Sequence, residues 1–548
     1  MGKWCKSDEE ERGETMRNAK EDQKYIRFLE WAVFAGVLLV LNFFLWRYTL
    51  YTVDSDAASE LVLAKHLADS GGGLLSKNWY YSTELKVLCD QLAFELMFFL
   101  TDNWHLVRMG GTLILLGLLV LSVYYFCRKT GCRRNFPLLA ALILLPLSRT
   151  YFNIVFKFTY YIPYIVTGFA VIAAEIQFAT GEGRKKYLAL ILAALLSLAA
   201  GLLGFRLLLN LYIPLVLAVL MYLWLNKGAS LKKKLLLAGT GTVTGAALIG
   251  CVINQTILAR QYCFQDFTQL SFAGFSFRGV ENFLGGLLEI LGYRAGAPVF
   301  SQALFPTALS GILLLLCFYC AGYIACHRDQ FNAAQQIAAY YYLAVVLVFC
   351  LLYCLTNMQY TNYHSIQAAI QGLPLIFICF GKREIFGKAG RGILWGLTCL
   401  ALLCGALQYN DMRKEDKTRA LREAVQFLTE NDYREGYASF WNGNVTTELS
   451  NGALEMWVWD EHKLAELEDP DEIGPWLQSK THDDPPAGGK IFILLTANEA
   501  YYCEFAHNFT EDDIIFKTAN YEPGAIDEYI IYGFDSYAEM RSQFYGQN

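Results

Sequence analysis

The chain has 548 residues, 55% of them hydrophobic and 18% charged, with a mean hydropathy of +0.29 and a formal net charge of −6. That balance excludes an ordinary water-soluble globular protein of this length. It also excludes a nucleic-acid-binding surface. Residues 412–548 hold 27 Asp+Glu against 11 Lys+Arg, a net of −16, and the basic residues of the remaining chain, net +10, sit in short loops beside apolar runs.

Residues 1–26 are hydrophilic and read as a cytoplasmic tail, followed by an uncleaved first span at 28–50. A long polar and amphipathic loop, 51–103, comes next. Further spans are expected near 105–126, 135–149, 160–179, 187–204, 206–226 and 232–257. A second long loop covers 258–300, and four more spans fall near 302–326, 335–355, 363–380 and 391–408. About eleven spans result, the shortest being the Pro-interrupted 135–149. Most of the 15 Cys, such as Cys251, Cys317, Cys350 and Cys404, lie inside these apolar runs as small hydrophobes, and no paired C-x-x-C set points to zinc.

Basic residues assign the sides. Arg128, Lys129, Arg133 and Arg134, then Arg184 to Lys186, then Lys227 and Lys232 to Lys234, then Lys382, Arg383, Lys388 and Arg391 all fall in alternate loops. With eleven spans they share one side with the N-terminal tail. That side is expected to be cytoplasmic, at the plasma membrane, and the loops 51–103 and 258–300 and the acidic tail face outward. Residues 27–410 form the membrane domain. Residues 411–548 are expected to be a small extracytoplasmic α/β domain, its first helix (417–428) continuing from the last span, with strands near 490–495 and 529–532.

The chemistry concentrates after the first span, in Asp54-Ser-Asp56-Ala-Ala-Ser-Glu60. Two amphipathic juxtamembrane helices are expected, at 57–68 and 86–100, with Asn78-Trp-Tyr-Tyr-Ser-Thr-Glu84-Leu between them. Acids just beyond a span are costly without a partner or a task. Asp54 and Asp56 read either as N-capping residues of the first juxtamembrane helix or as a general base and ligands for a hard divalent cation such as Mg or Mn. Arg206, in an outward turn, reads as a snorkelling interfacial Arg or as a phosphate partner. Arg149 and Lys157 occupy another outward turn, and Arg260, Arg278 and Arg294 the second long loop. Trp79 and Tyr80 belong to an aromatic belt or stack on a sugar. The 440–449 stretch, Phe-Trp-Asn-Gly-Asn-Val-Thr-Thr-Glu-Leu, reads as a folded turn or a carbohydrate-facing patch. The tail carries no nucleotide-binding signature.

Across 25–410 the topology, the acidic motif Asp54–Glu60 and the two amphipathic helices resemble the C-type glycosyltransferase fold. The superfamily includes dolichyl- and undecaprenyl-phosphate-sugar-dependent transferases, among them relatives of protein O-mannosyltransferases and of the lipid A aminoarabinose transferase. Asp54-Ser-Asp-Ala-Ala-Ser-Glu-Leu, Asn78-Trp-Tyr-Tyr-Ser-Thr-Glu-Leu and Gly436-Tyr-Ala-Ser-Phe-Trp-Asn also resemble membrane proteins of Gram-positive bacteria. The resemblance implies an inverting transfer of sugar from a polyprenyl-phosphate-linked donor to a cell-wall, lipid or protein acceptor at the membrane. It implies Asp54 as first candidate base and Asp56 as second. Donor binding then falls to Arg206, Glu60, Glu84, Arg149, Lys157, Tyr363 and His364. Superfamily members often carry an Arg-Tyr pair where this chain has Asn362-Tyr363 followed by His364, so the phosphate cation must come from elsewhere. The rival reading is a transporter or flippase of a lipid-linked substrate, which should show internal repeats and buried ionisable groups at mid-membrane.

Overall fold

The computed structural model describes residues 4–83, 85–226, 233–264, 271–358, 362–460 and 462–546, with side chains from residue 23 onward except that of Asn362. Helix α1 (Trp4–Tyr48) leads through a short turn to α2 (Ser55–Asp69), strand β1 (Trp79–Tyr81), α3 (Gln91–Phe98) and α4 (Trp104–Thr130). α4 is capped by Asn103, whose side chain accepts from the Leu106 amide at 3.0 Å, and stops at Gly131, whose φ of +79° suits glycine. The second juxtamembrane helix is shorter than expected, because 85–90 are loop, bend and turn and the helix starts only at Gln91 instead of Lys86.

Among the described residues ten helices are long and apolar enough to cross a membrane, and the chain is a multi-pass membrane protein. The eleventh candidate is the Pro-interrupted one. Helices at 133–144 and 149–157 form a pair bent by 99° around Pro146. Contacts at its two ends show that it traverses the bundle. Arg133 and Arg134 line a cleft with Arg27 and Glu30 at the start of the α1 span. Lys157 pairs with Asp54, beyond the far end of α1.

The last span, α5 (Arg383–Met412), runs parallel to α1. Arg391 meets Glu30 at 2.8 Å at one end, and the Lys417 amide donates to the Tyr51 carbonyl at 2.8 Å past the other. The basic loops gather at the first of these ends. There Gln335 donates to the Thr130 carbonyl (2.9 Å), Arg328 to Leu225 (2.7 Å) and Asn135 to Phe377 (3.0 Å). Lys227 and Lys232 of the expected basic set lie outside the described residues. Helices 184–202 and 233–256 cross at Gly201 and Gly250, where a Cβ on either would strike the other helix's backbone.

At the opposite end the chain closes with an α/β domain. The expected continuation of α5 into the tail does not occur. Residues 413–418 break the helix, and a new one spans Arg419–Glu430. The main sheet has the order β4-β3-β6-β8-β7, from β3 (Glu435–Ser439), β4 (Glu455–Trp459), β6 (Ile491–Thr496), β7 (Ile514–Lys517) and β8 (Tyr529–Phe534). β3 pairs parallel with β4 and β6, whereas β8 runs antiparallel to both its neighbours. The 440–449 stretch is neither a turn nor an open patch. It is helix α6 (Phe440–Leu449), which packs on α2. A second small sheet joins three distant segments: β1 lies between β2 (Cys263–Phe264) and β5 (Gln478–Ser479). Val53, Ala57 and Ala58 pack into the same apolar cluster as Leu421, Val445 and Ile531, so the start of α2 is part of the C-terminal domain's core.

Candidate functional site

α2 starts where Asp54 caps it. The Asp54 Oδ1 accepts from the Ala57 amide at 3.1 Å, and its Oδ2 accepts from the Lys157 ammonium. Of the two N-capping candidates, Asp54 holds the position, and the capping and charged roles coexist in one side chain. Lys157 serves as the counter-ion of Asp54. It reaches that point because the chain makes one wide helical turn at 153–157 after the Pro146 bend. Asp54 stays one-third exposed, so its carboxylate is reachable from solvent.

Asp56 and Glu60 stand one turn apart on α2 and lie within electrostatic reach of each other. Glu60 is buried and pairs with Lys86, the lone basic residue between Asn78 and Asn103. Burial pushes the Glu60 carboxyl up to about 7, although Lys86 pulls the other way. Burial works to lower Lys86, but Glu60 and Asp90 outweigh it and the net direction is up. The Lys86 ammonium also sits 4.3 Å from the centre of the Tyr160 ring. Asp90 accepts from Thr159 at 2.8 Å, which ties this loop to the 149–161 segment. Among the described residues, Glu60 Oε2 and Asp90 Oδ1 have no hydrogen-bond partner.

Arg206 follows Gly204, whose φ of +103° makes the turn possible. Its guanidinium lies 5.4 Å from the ring centres of both Tyr161 and Tyr164. Tyr161 in turn approaches Tyr363 at 6.2 Å, and His364 is within electrostatic reach of Arg206. Asp54, Asp56, Glu60, Lys157, Arg206, Tyr363 and His364 thus gather at one end of the bundle, bridged by Lys86, Tyr160 and Tyr161.

Other expected residues stand elsewhere. Arg149 forms a two-pronged ion pair with Glu415, and Arg294 binds Gln408 at 2.8 Å and Asp411 at 3.2 Å. Both therefore fasten the end of α5. Arg260 and Arg278 are exposed. Glu84 lies outside the described residues. Trp79 offers no face to a sugar: it is 1% exposed and packs beside the His66 ring at 5.5 Å. Tyr80 donates to Asp483 at 2.8 Å. Lys86 is the residue that reading the sequence missed. The available signal was a single lysine among Glu84, Asp90 and Glu95.

A divalent cation at Asp54 and Asp56 would have to displace the Lys157 ammonium from Asp54 and draw its remaining ligands from water or donor phosphate. Both Asp54 oxygens are engaged, one of them by an ammonium, and among the described residues no group of three or more His, Cys, Asp or Glu is arranged to hold a metal ion.

No family model matches the chain, and no curated protein does. Its fold, however, is shared with solved structures. ArnT from Cupriavidus metallidurans bound to undecaprenyl phosphate superposes with a TM-score of 0.54 at 12% identity, covering 92% of this chain and 97% of ArnT. The apo form of the same protein gives 0.56 at 10% identity with the same coverage. The Archaeoglobus fulgidus oligosaccharyltransferase in complex with Zn and sulfate gives 0.50 at 12% identity, covering 86% of this chain and 71% of that one. These sources lend no support to a Gram-positive origin. The likeness runs through nearly the whole chain, membrane bundle and C-terminal domain together, and it gives this protein the fold of the polytopic C-type glycosyltransferases.

Proposed function

We propose that this protein transfers a sugar from a polyprenyl-phosphate-linked donor to a cell-envelope acceptor on the extracytoplasmic side, with inversion at the anomeric carbon. The observation that carries the reading is the meeting, at one end of a C-type fold, of α2 carboxylates with cations from three other elements, Lys157, Lys86 and Arg206. Asp54 is the proposed base. Lys157 pairs with it, and the cap to Ala57 fixes its direction. It takes the proton from an acceptor hydroxyl as that oxygen bonds to the anomeric carbon. The bond from that carbon to the phosphate oxygen breaks, and its electron pair leaves with the polyprenyl phosphate. Lys86 and Arg206 are the cations placed to stabilise the departing phosphate, with Glu60 holding Lys86 and Tyr161 supporting Arg206. Asp56 is the alternative base. The fold likeness to a protein solved with undecaprenyl phosphate supports the donor class. The side assignment rests on the basic loops gathered at the opposite end.

The test is transfer of labelled sugar from polyprenyl-phosphate donors to envelope acceptors by purified protein, wild type beside Asp54→Asn. Wild-type transfer that disappears in a folded variant supports the reading. Undiminished transfer by the variant removes Asp54 as base. Wild-type protein inert across the donor panel overturns the reaction class.

A further inference from the structure

The bend at Pro146 leaves a space behind it. Helix 136–144 is only nine residues long, about 14 Å, and the chain then turns away by 99°. α1 and α5 pass on either side, so a recess of about 640 Å³ opens between them with Leu145 as its floor. One face of α1, from Val33 through Gly36 and Val40 to Tyr48, forms one wall, and Leu402 and Ala406 of α5 form the other. The α1 wall is about 22 Å long. Nothing lies within 4 Å of the position where a Gly36 side chain would begin. The recess is therefore a long apolar slot within the membrane-spanning part of the bundle.

Its polar end is basic. Tyr48, Asn410 and Arg413 line it there, and Arg413 is exposed. Arg47, also exposed, adjoins Tyr48 and hydrogen-bonds the Tyr51 hydroxyl. The carboxylates nearby are already engaged: Asp411 by Arg294, Glu415 by Arg149 and Asp416 by Arg422. Among the described residues Arg413 has no side-chain ion pair, and Lys414 beside it is exposed. An apolar slot that ends in surplus positive charge at the membrane surface matches one chemistry, a hydrocarbon chain carrying an anionic head.

We propose that this recess is a binding site for an anionic phospholipid, one acyl chain in the slot and the phosphate head on Arg413 and Arg47. The site is separate from the Lys86–Arg206 cluster assigned to the donor. It braces the 48–53 turn that leads to Asp54: Arg47 and Arg422 both hold Tyr51, whose carbonyl accepts from Lys417.

The full chain is reconstituted in nanodiscs of mixed phosphatidylglycerol and phosphatidylcholine, released, and weighed by native mass spectrometry. Wild type should retain phosphatidylglycerol. A variant with both Gly36→Trp and Val40→Trp, which fills the slot, should lose it, and Arg413→Glu should lose the preference over phosphatidylcholine. Photoreactive phosphatidylglycerol added to wild type should mark peptides containing 33–48 and 402–413 above those around Leu118, Leu195 and Leu315, which also face outward. Equal retention by wild type and the filled variant, or even labelling across all these peptides, overturns the proposal. Neither readout needs sugar transfer, so the outcome is independent of the enzymatic reading.

Discussion

Arg108 and Glu448 are 340 residues apart and form a buried two-pronged ion pair between α4 and α6. The same Arg108 guanidinium donates to the Ala57 carbonyl at 3.0 Å, in the first turn of α2. The Val445 amide donates to Ser55 Oγ at 3.3 Å, and Asn451 accepts from the Trp104 amide at 2.8 Å. The C-terminal domain is therefore clamped to the turn that carries Asp54 and Asp56. Leaving one buried charge unpaired costs about 3–5 kcal/mol, whereas replacing both partners by apolar groups is often near neutral. Glu448→Gln and Arg108→Met should each lower the midpoint of thermal unfolding and speed hydrogen exchange at 55–60. The double variant Arg108→Met with Glu448→Met should recover much of the midpoint. A double variant no more stable than either single one would mean that the pair acts through something other than its buried charge.

Asp54→Asn separates charge from structure at the proposed base. Asparagine caps helices about as well as aspartate, so α2 should survive and the circular dichroism spectrum should match wild type. Loss of a general base typically costs about 10²–10⁴-fold in rate, and turnover should fall within that range. Lys157→Met leaves the carboxylate but removes its ion-pair partner. Turnover should fall by less than in Asp54→Asn, and α2 should keep its cap to Ala57. Turnover equal to wild type would show that Lys157 does not position Asp54.

The sequence made the large divisions legible because hydropathy and loop charge are strong signals over twenty-residue windows. The first juxtamembrane helix and strands β6 and β8 were legible for the same reason: Leu61, Ala64 and Leu67 repeat at helical spacing, and Ile491 to Leu495 is an unbroken apolar run. What the sequence concealed were pairings over long separations. Nothing local to Asp54 announces Lys157, 103 residues on, and nothing in α4 announces Glu448. α6 was hidden because Asn442-Gly443-Asn444 has poor helix propensity and favours turns. Packing on α2 and Val458 overrides that preference, with Gly443 giving the close approach to Val458. Trp79 looked like a belt or sugar-stacking aromatic because the sequence does not show that it packs into one apolar cluster with Leu63 and Leu67 of α2 and with Leu85.

Glu60 should make stability depend on pH in the neutral range. Its carboxyl lies near 7 in the fold, against an ordinary value of 4.5, because burial disfavours the charge. A raised folded value means the stabilising contribution is complete below about 4.5 and fades as pH rises through 7. The unfolding midpoint of wild type should therefore fall from pH 5 to pH 8 relative to Glu60→Gln, which has no proton to lose there. Parallel curves for the two proteins would show that Glu60 is ionised across the range and that Lys86 dominates the pair.

The bent 133–157 segment decides which parts of the chain share a side, and two native thiols report on it. Cys263 is exposed and lies beside Tyr80 at the end that carries Asp54, whereas Cys326 is exposed at the end of helix 304–326, next to the basic loops. Variants that retain only one of these cysteines can be treated, in intact cells, with a membrane-impermeant maleimide. If 133–157 crosses and the basic end is cytoplasmic, Cys263 should label directly and Cys326 only after the membrane is opened. Labelling of Cys326 alone would invert the orientation and place the acids on the cytoplasmic side, where a nucleotide-activated donor becomes the more natural substrate. Labelling of both in intact cells would contradict the traverse drawn from Arg134 to Lys157 and return that segment to a re-entrant loop.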